Sequence, residues 1–270
     1  IISYVNKYNL SLRLASNKMV YCFSDKIGGY MMEKLQAAAK TLGITLQEHQ
    51  LAQFQTYFED LVLWNQQMNL TTITENEAVQ INHFLDSLTV VIVYQPKGRI
   101  KILDVGTGAG FPGIPLKIAF PGIRLVLLEA TGKKVLFLQH VIDKLGLENV
   151  QVITGRAEEV AHQFKYRSEF DLVVSRAVAP LVTLVEYTLP FCRTDGVFVA
   201  HKKGNIKEEV ETARPAITIL KGRLLEVKPV IMPEFSDHRS LVVVKKLSPT
   251  PALYPRQSGL PVKKPLGDTF

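Results

Sequence analysis

The chain has 270 residues, 47% of them hydrophobic and 21% charged, with a net charge of +7. This composition is that of a packed globular chain and excludes wholesale disorder, and the length suits one large domain or one with a small companion. The positive balance is compatible with a polyanionic partner; the two cysteines, Cys22 and Cys192, form no C-x-x-C pair, which argues against a zinc site or a disulfide framework and fits a reducing cytosol.

Residues Ile1 to Tyr30 show no sustained period and are expected to be a poorly ordered extension. The first good helical sequence begins at Met31-Met32, where the natural start is expected. From Met32 to about Tyr94 the pattern is helical: Leu51, Phe54, Phe58, Leu61, Val62 and Trp64 recur at spacings of three and four and make one apolar stripe. A small helical domain over 31–98 is the expectation. No apolar run of signal-peptide length follows the early lysines. Asp171, Arg176 and Glu186 interrupt the apolar stretch Phe170 to Cys192, so no membrane span is expected and a cytoplasmic protein is.

Near Ile100 the texture changes. Short apolar runs at Ile100 to Val105, Arg124 to Leu128, Val150 to Thr154, Asp171 to Ser175 and Val197 to Ala200 alternate with helix-compatible segments such as Lys133 to Leu145. Alternation of this kind predicts βαβ units and a parallel sheet over 99–248. Two last runs, Arg223 to Val230 and Leu241 to Lys246, have no helix between them and predict an antiparallel pair at one sheet edge. The proline-rich tail, 249–270, should lie across the surface. Lys245 to Phe270 holds five basic residues, Arg256 among them, against one acid, Asp268.

The strongest motif runs Leu103-Asp104-Val105-Gly106-Thr107-Gly108-Ala109-Gly110-Phe111-Pro112-Gly113. A strand ending in glycines before a helix lets a nucleotide-like ligand approach the backbone, because no Cβ atoms intervene. From Gly108 the loop also fits G-x-G-x-x-G, so an NAD or FAD oxidoreductase is an alternative. Asp104 at the strand end would repel a pyrophosphate and suit a cationic sulfonium, and Pro112 removes a donor that phosphate would use. Glu129, at the end of the next strand, can accept ribose hydroxyls in either cofactor class; a solvated carboxylate is the plainer reading. Arg156-Ala157-Glu158 follows the third strand, either as a contact to adenine or as an ordinary helix start.

The chain resembles the glucose-inhibited division protein B family, bacterial small-subunit rRNA guanine-N7 methyltransferases, across nearly everything from Leu46 to Leu266. The resemblance rests on Asn65 with Met68-Asn69-Leu70-Thr71, on His83-Phe84-Leu85-Asp86-Ser87, and on Leu103 through Pro115. Lys133-Lys134, Arg156-Ala157-Glu158, Ser175-Arg176-Ala177, Lys202-Lys203-Gly204 and the tail from Tyr254 to Leu266 extend it. It implies a class I, Rossmann-like fold with a mostly parallel seven-stranded sheet, S-adenosylmethionine as cofactor and 16S rRNA as partner, with no metal and a monomer favoured. The implied cofactor residues are Gly106, Gly108, Phe111, Glu129, Ala130, Thr131, Ala157 and Glu158, with Arg176 at the pocket mouth near the transferred methyl. A non-catalytic ribosome-assembly factor on the same fold is the second alternative.

Guanine N7 carries an in-plane lone pair and attacks a methyl without losing a proton, so position rather than a general base is what the enzyme must supply. Arg176, at the carboxyl end of a parallel strand, is placed to stack on a base or hold a phosphate, unless it pairs with an acid such as Glu158. His83 and Asp86 should share one helix face toward substrate, unless Asp86 or Ser87 caps a helix. Lys202, Lys203 and Arg256 are candidates for RNA phosphate, or form an ordinary solvated basic face.

Overall fold

A computed structural model describes residues 11–15, 18–22 and 32–267. The chain divides into two compact units, residues 1–31 and 32–270. In the first, β1 (Ser11–Ala15) pairs antiparallel with β2 (Lys18–Cys22), Ser11 opposite Cys22. The rest of the expected extension, and Met31, lie outside the described residues.

The second unit opens with α1 (Glu33–Thr41) and the long α2 (Glu48–Met68), which stops where Asn69 turns left-handed at φ 50°. A continuous helical run follows: α3 (Asn76–Val79), a π turn (Gln80–Leu85), α4 (Asp86–Leu88) and a 3₁₀ turn (Thr89–Ile92). The sheet then begins. Its strands are β3 (Lys101–Val105), β4 (Arg124–Glu129), β5 (Val150–Thr154), β6 (Phe170–Arg176), β7 (Cys192–Lys203), β8 (Gly222–Val230) and β9 (Arg239–Lys246). The helices between them are α5 (Gly113–Ala119), α6 (Gly132–Leu145), α7 (Ala157–Val160), α8 (Leu181–Thr188) and α9 (Lys207–Ile219). Strand order is β5-β4-β3-β6-β7-β9-β8, with only β9 antiparallel to its neighbours. The expected edge pair is present, with β9 inserted between β7 and the edge strand β8.

Successive residues of the central strands face opposite layers, as a sheet covered on both sides requires. Ile102, Leu127, Leu172 and Val174 join one core, shared with Leu35, Phe54, Tyr57, Phe84 and Leu88 of the helical segment. Leu103, Val105, Val173 and Phe198 join the other, against Leu184, Val210 and Ile217. The helices over 32–92 therefore bury their apolar stripe on the sheet and its flanking helices, and residues 32–270 form one compact unit. Polar ties fix the contact: Gln50 Nε2 donates to the Ile118 carbonyl at 2.6 Å, Gln53 Nε2 to the Leu145 carbonyl at 2.8 Å, and buried Asp60 takes Lys144 Nζ at 2.8 Å.

Among the described residues the tail adds no strand. Arg167 grips the carbonyls of Thr250 and Tyr254 at 3.0 and 2.9 Å, the short α10 (Leu260–Lys263) packs beside α8, and Leu266 is buried in the second core. Among the described residues no helix is long and apolar enough to cross a membrane.

Candidate active site

At the carboxyl ends of β3 and β6 the chain forms a cleft of about 500 Å³. One side is the glycine-rich loop, where Gly106, Gly108 and Gly110 take φ values of 68°, 61° and 101°, a region costly for residues with a Cβ. A Cβ at Gly108 would meet nothing within 4 Å, so open space adjoins the backbone there.

The loop's N–H groups, that of Ala109 excepted, are turned inward. Those of Gly106 and Thr107 donate to the Leu128 carbonyl, those of Gly110 and Phe111 to the Thr107 carbonyl. Gly108 N–H donates to Glu129 Oε2 at 2.9 Å and Gly113 N–H to Asp104 Oδ2 at 2.8 Å, while Pro112 has none to give. A pyrophosphate cradle needs such donors free, and a carboxylate stands against this one. Asp104, expected to face the cofactor's charge, instead points into the protein. It is fully buried, takes the Thr107 hydroxyl at 2.6 Å and braces the loop. Burial pushes its carboxyl up to about 7 against those two bonds.

Glu129 closes the strand end as expected. Besides Gly108 it accepts Thr131 N–H at 2.9 Å through Oε1, so each oxygen takes one backbone bond and keeps acceptor capacity. Thr131 stands at the N-cap position of α6, and Ala130 beside it is exposed. These features fit an adenosine with its ribose at Glu129 and a sulfonium-bearing chain along Gly106 to Gly108. Glu158, expected with Ala157 at the adenine, has its carboxylate buried against the tail, where Oε1 accepts Gly259 N–H at 3.0 Å.

The opposite side of the cleft comes from the helical segment and the β6–β7–β9 rim. Arg176 pairs not with Glu158 but with Asp86: Nη1 lies 2.7 Å from Oδ2. Its guanidinium sits 4.9 Å from the centre of the Phe111 ring, a cation–π contact. Nη2 lies 3.3 Å from His83 Nδ1, which must accept because arginine only donates. His83 Nε2 then donates to the Thr71 hydroxyl at 2.8 Å, and the ring stacks on Phe111 at 4.6 Å. Burial and the Arg176 charge push His83 down to about 3, so the ring is neutral.

The Asp86 side chain caps no helix; it is buried between two arginines, the second being Arg239 at 2.8 Å. Burial would raise its pKa, yet Arg176, His201 and Arg239 hold the carboxyl below its ordinary value. His201, opposite Arg176 on β7, donates from Nε2 to the Asp86 carbonyl at 3.1 Å. Burial, with Arg176 adding to it, pushes this imidazole down to about 4.

Lys202 and Lys203 line the cleft, but each is paired: Lys202 with Glu209 at 2.6 Å, Lys203 with Asp237 at 2.9 Å. Arg256, expected on RNA phosphate, is instead bound to wholly buried Glu186 of α8, Nη2 to Oε2 at 2.7 Å. A buried carboxylate demands a partner, and the tail supplies it. Sequence reasoning missed Tyr57, His201 and Arg239. No local motif marks them; the only signal was the His-Lys-Lys run for His201, read for its lysines alone. Among the described residues no group of three potential ligands could hold a metal ion.

A parallel sheet carrying one antiparallel strand, a glycine loop whose N–H groups, Ala109 excepted, are already bonded within the protein, and an acid at the second strand end together define a class I, Rossmann-like methyltransferase. The family model for rRNA small subunit methyltransferase G, GidB, matches residues 50–240. A ribosomal RNA small subunit methyltransferase G of Dehalococcoides mccartyi strain CBDB1 is 51% identical over 235 residues, covering 87% of this chain and 100% of that one. Its namesake in Thermoanaerobacter sp. strain X514 is 48% identical, over 87% and 98%. The chain belongs to the GidB family.

Proposed function

We propose that this chain transfers the methyl group of S-adenosylmethionine to N7 of a guanine in 16S rRNA of the small ribosomal subunit, acting in the cytoplasm. The cofactor, when bound, supplies an electrophilic methyl on a sulfonium. The observation that carries the reading is the inward-turned glycine loop. It offers a sulfonium cofactor open space and a ribose-accepting carboxylate, and a dinucleotide a single unbonded loop N–H, that of Ala109, where a pyrophosphate needs several.

The protein's own groups orient and exclude. Gly106, Gly108 and Phe111 form the cofactor side of the cleft, with Glu129, Ala130 and Thr131 beyond them and Ala157 at the neighbouring strand end. Arg176 stands where it can stack on the purine or hold its phosphate. His83 has both ring nitrogens committed, and His201 donates from Nε2 to a carbonyl while its unpartnered Nδ1 is buried from solvent, so neither is poised as a general base. N7 alkylation needs none. The arginines and lysines around the cleft suit an RNA backbone.

The test has two arms. The purified protein should bind S-adenosylhomocysteine and not NAD. Mass mapping of 16S rRNA from cells with and without this gene should show one 7-methylguanine lost; an unchanged pattern overturns the assignment.

A further inference from the structure

Asp86, Arg176 and Arg239 come from three separate segments and meet beneath the cleft. Asp86 closes the π turn, Arg176 ends β6 and Arg239 begins β9. Side-chain exposures are 5%, 13% and 3%, so Arg176 alone of the three has appreciable access to solvent. Its Nη1 is held by Asp86 Oδ2 at 2.7 Å and by the Asn82 carbonyl at 3.2 Å. Arg239 Nη1 lies 2.8 Å from the other Asp86 oxygen, off line for a hydrogen bond, so that contact is Coulombic.

Arg239 is itself anchored at Nε, at Nη2 and over the face of its guanidinium. Nε meets Asp237 Oδ1 at 2.5 Å, Nη2 donates to Asn82 Oδ1 at 2.5 Å, and the guanidinium lies 3.8 Å over the Phe235 ring. It is therefore a fixed post, and Asp86 is the bridge from that post to Arg176.

We propose that Asp86 and Arg239 are positioning residues for methyl transfer, acting through Arg176 rather than on substrate. The proposal rests on the methyltransferase reading and deepens it. Arginine is long and rich in rotamers. Left to itself it would sample the open cleft, and a misplacement of about 1 Å near reacting atoms costs on the order of a hundredfold in rate. The shared carboxylate also screens two like charges that repel once it is gone.

The assay is methylation of small-subunit RNA from cells lacking this gene, at saturating cofactor, alongside S-adenosylhomocysteine binding. Asp86→Ala should lower kcat by about thirtyfold and leave S-adenosylhomocysteine affinity within about threefold. Adding about 0.1 M formate should restore part of the rate by refilling the carboxylate site, where chloride at equal ionic strength does not. Should Asp86→Ala fail to fold, Arg239→Lys keeps the charge but loses the fork; kcat should fall about fivefold with cofactor affinity unchanged.

A folded variant with wild-type kcat, a loss lying wholly in cofactor affinity, or a folded Asp86→Ala that formate leaves flat would each overturn the positioning role. A wild-type protein inactive on that RNA would instead count against the methyltransferase reading, which separates the two failures.

Discussion

The Tyr57 hydroxyl donates to the Ala109 carbonyl, so a residue of α2 holds the middle of the glycine-rich loop from 52 positions away. Tyr57 also stacks between Phe84 and Phe111 at 5.3 and 5.4 Å, and burial raises its pKa well above the ordinary value, which keeps the donor proton in place. Tyr57→Phe keeps the stack and strands one buried carbonyl. A loss of about 1–3 kcal/mol in stability is expected, with S-adenosylhomocysteine affinity down about tenfold. Urea unfolding and calorimetric titration read the two; unchanged affinity would show that the loop holds itself.

Two glycines of the same loop should behave differently. At Gly110 an added Cβ would lie 2.5 Å from both Ile114 Cδ1 and the Tyr57 oxygen, so Gly110→Ala should destabilise the fold. At Gly108 the Cβ enters open space, so Gly108→Ala should cost only the left-handed strain, about 1–2 kcal/mol. That variant should melt cooperatively yet bind S-adenosylhomocysteine at least about tenfold more weakly. Equal cofactor affinity in wild type and Gly108→Ala would remove Gly108 from the cofactor site.

Arg256 supports the fold through Glu186, so Arg256→Met leaves a buried carboxylate alone. The expected cost is about 3 kcal/mol, read by urea unfolding, with little change in RNA affinity at fixed salt. A stable protein with weakened RNA binding would return Arg256 to the substrate side.

Asp104 makes stability fall with rising pH. Its folded-state pKa of about 7 exceeds the ordinary 3.8, so between these values the folded state holds a proton that the unfolded chain has released. The stabilisation is complete below about pH 4 and is lost as pH rises through 7. Neutral, buried His83 and His201 act oppositely, losing stability as pH falls below their ordinary 6.5. The difference between wild type and Asp104→Asn cancels that contribution. Melting scans from pH 4 to 8 should show the variant gaining on wild type up to about pH 7 and level beyond; a wild type that holds or extends its stability relative to the variant as pH rises from 4 to 7 contradicts the assignment.

Arg176→Ala should lower turnover about tenfold or more, with cofactor affinity held. Single-turnover methylation measures it, and full activity would dismiss Arg176 from the reaction.

Much of the sheet was legible because apolar runs bounded by glycine and helix signals are local. Val150–Thr154 matches in both ends, and the glycine loop lies where its residues placed it. The site's second half was not legible. Asp86, Arg176 and Arg239 are 63 to 153 positions apart, and nothing in a local period says that one carboxylate will serve two guanidinium groups. The same limit hid the roles of Glu158 and Arg256: a charge run in sequence does not reveal which buried acid will claim it. The helical stripe over 51–64 was visible, but its apolar face cannot say whether it meets other helices or a sheet.

The ties from Gln50, Gln53, Tyr57 and Asp60 to α5, α6 and the loop have a consequence for how the molecule comes apart. Amide protons of α2 should exchange in step with those of β3 and β4 under native conditions, because α2 cannot lift off without stripping one whole layer of the sheet bare. Brief protease treatment should accordingly release no stable fragment spanning residues 32–98, and heat should melt that stretch and the nucleotide-binding half in a single event.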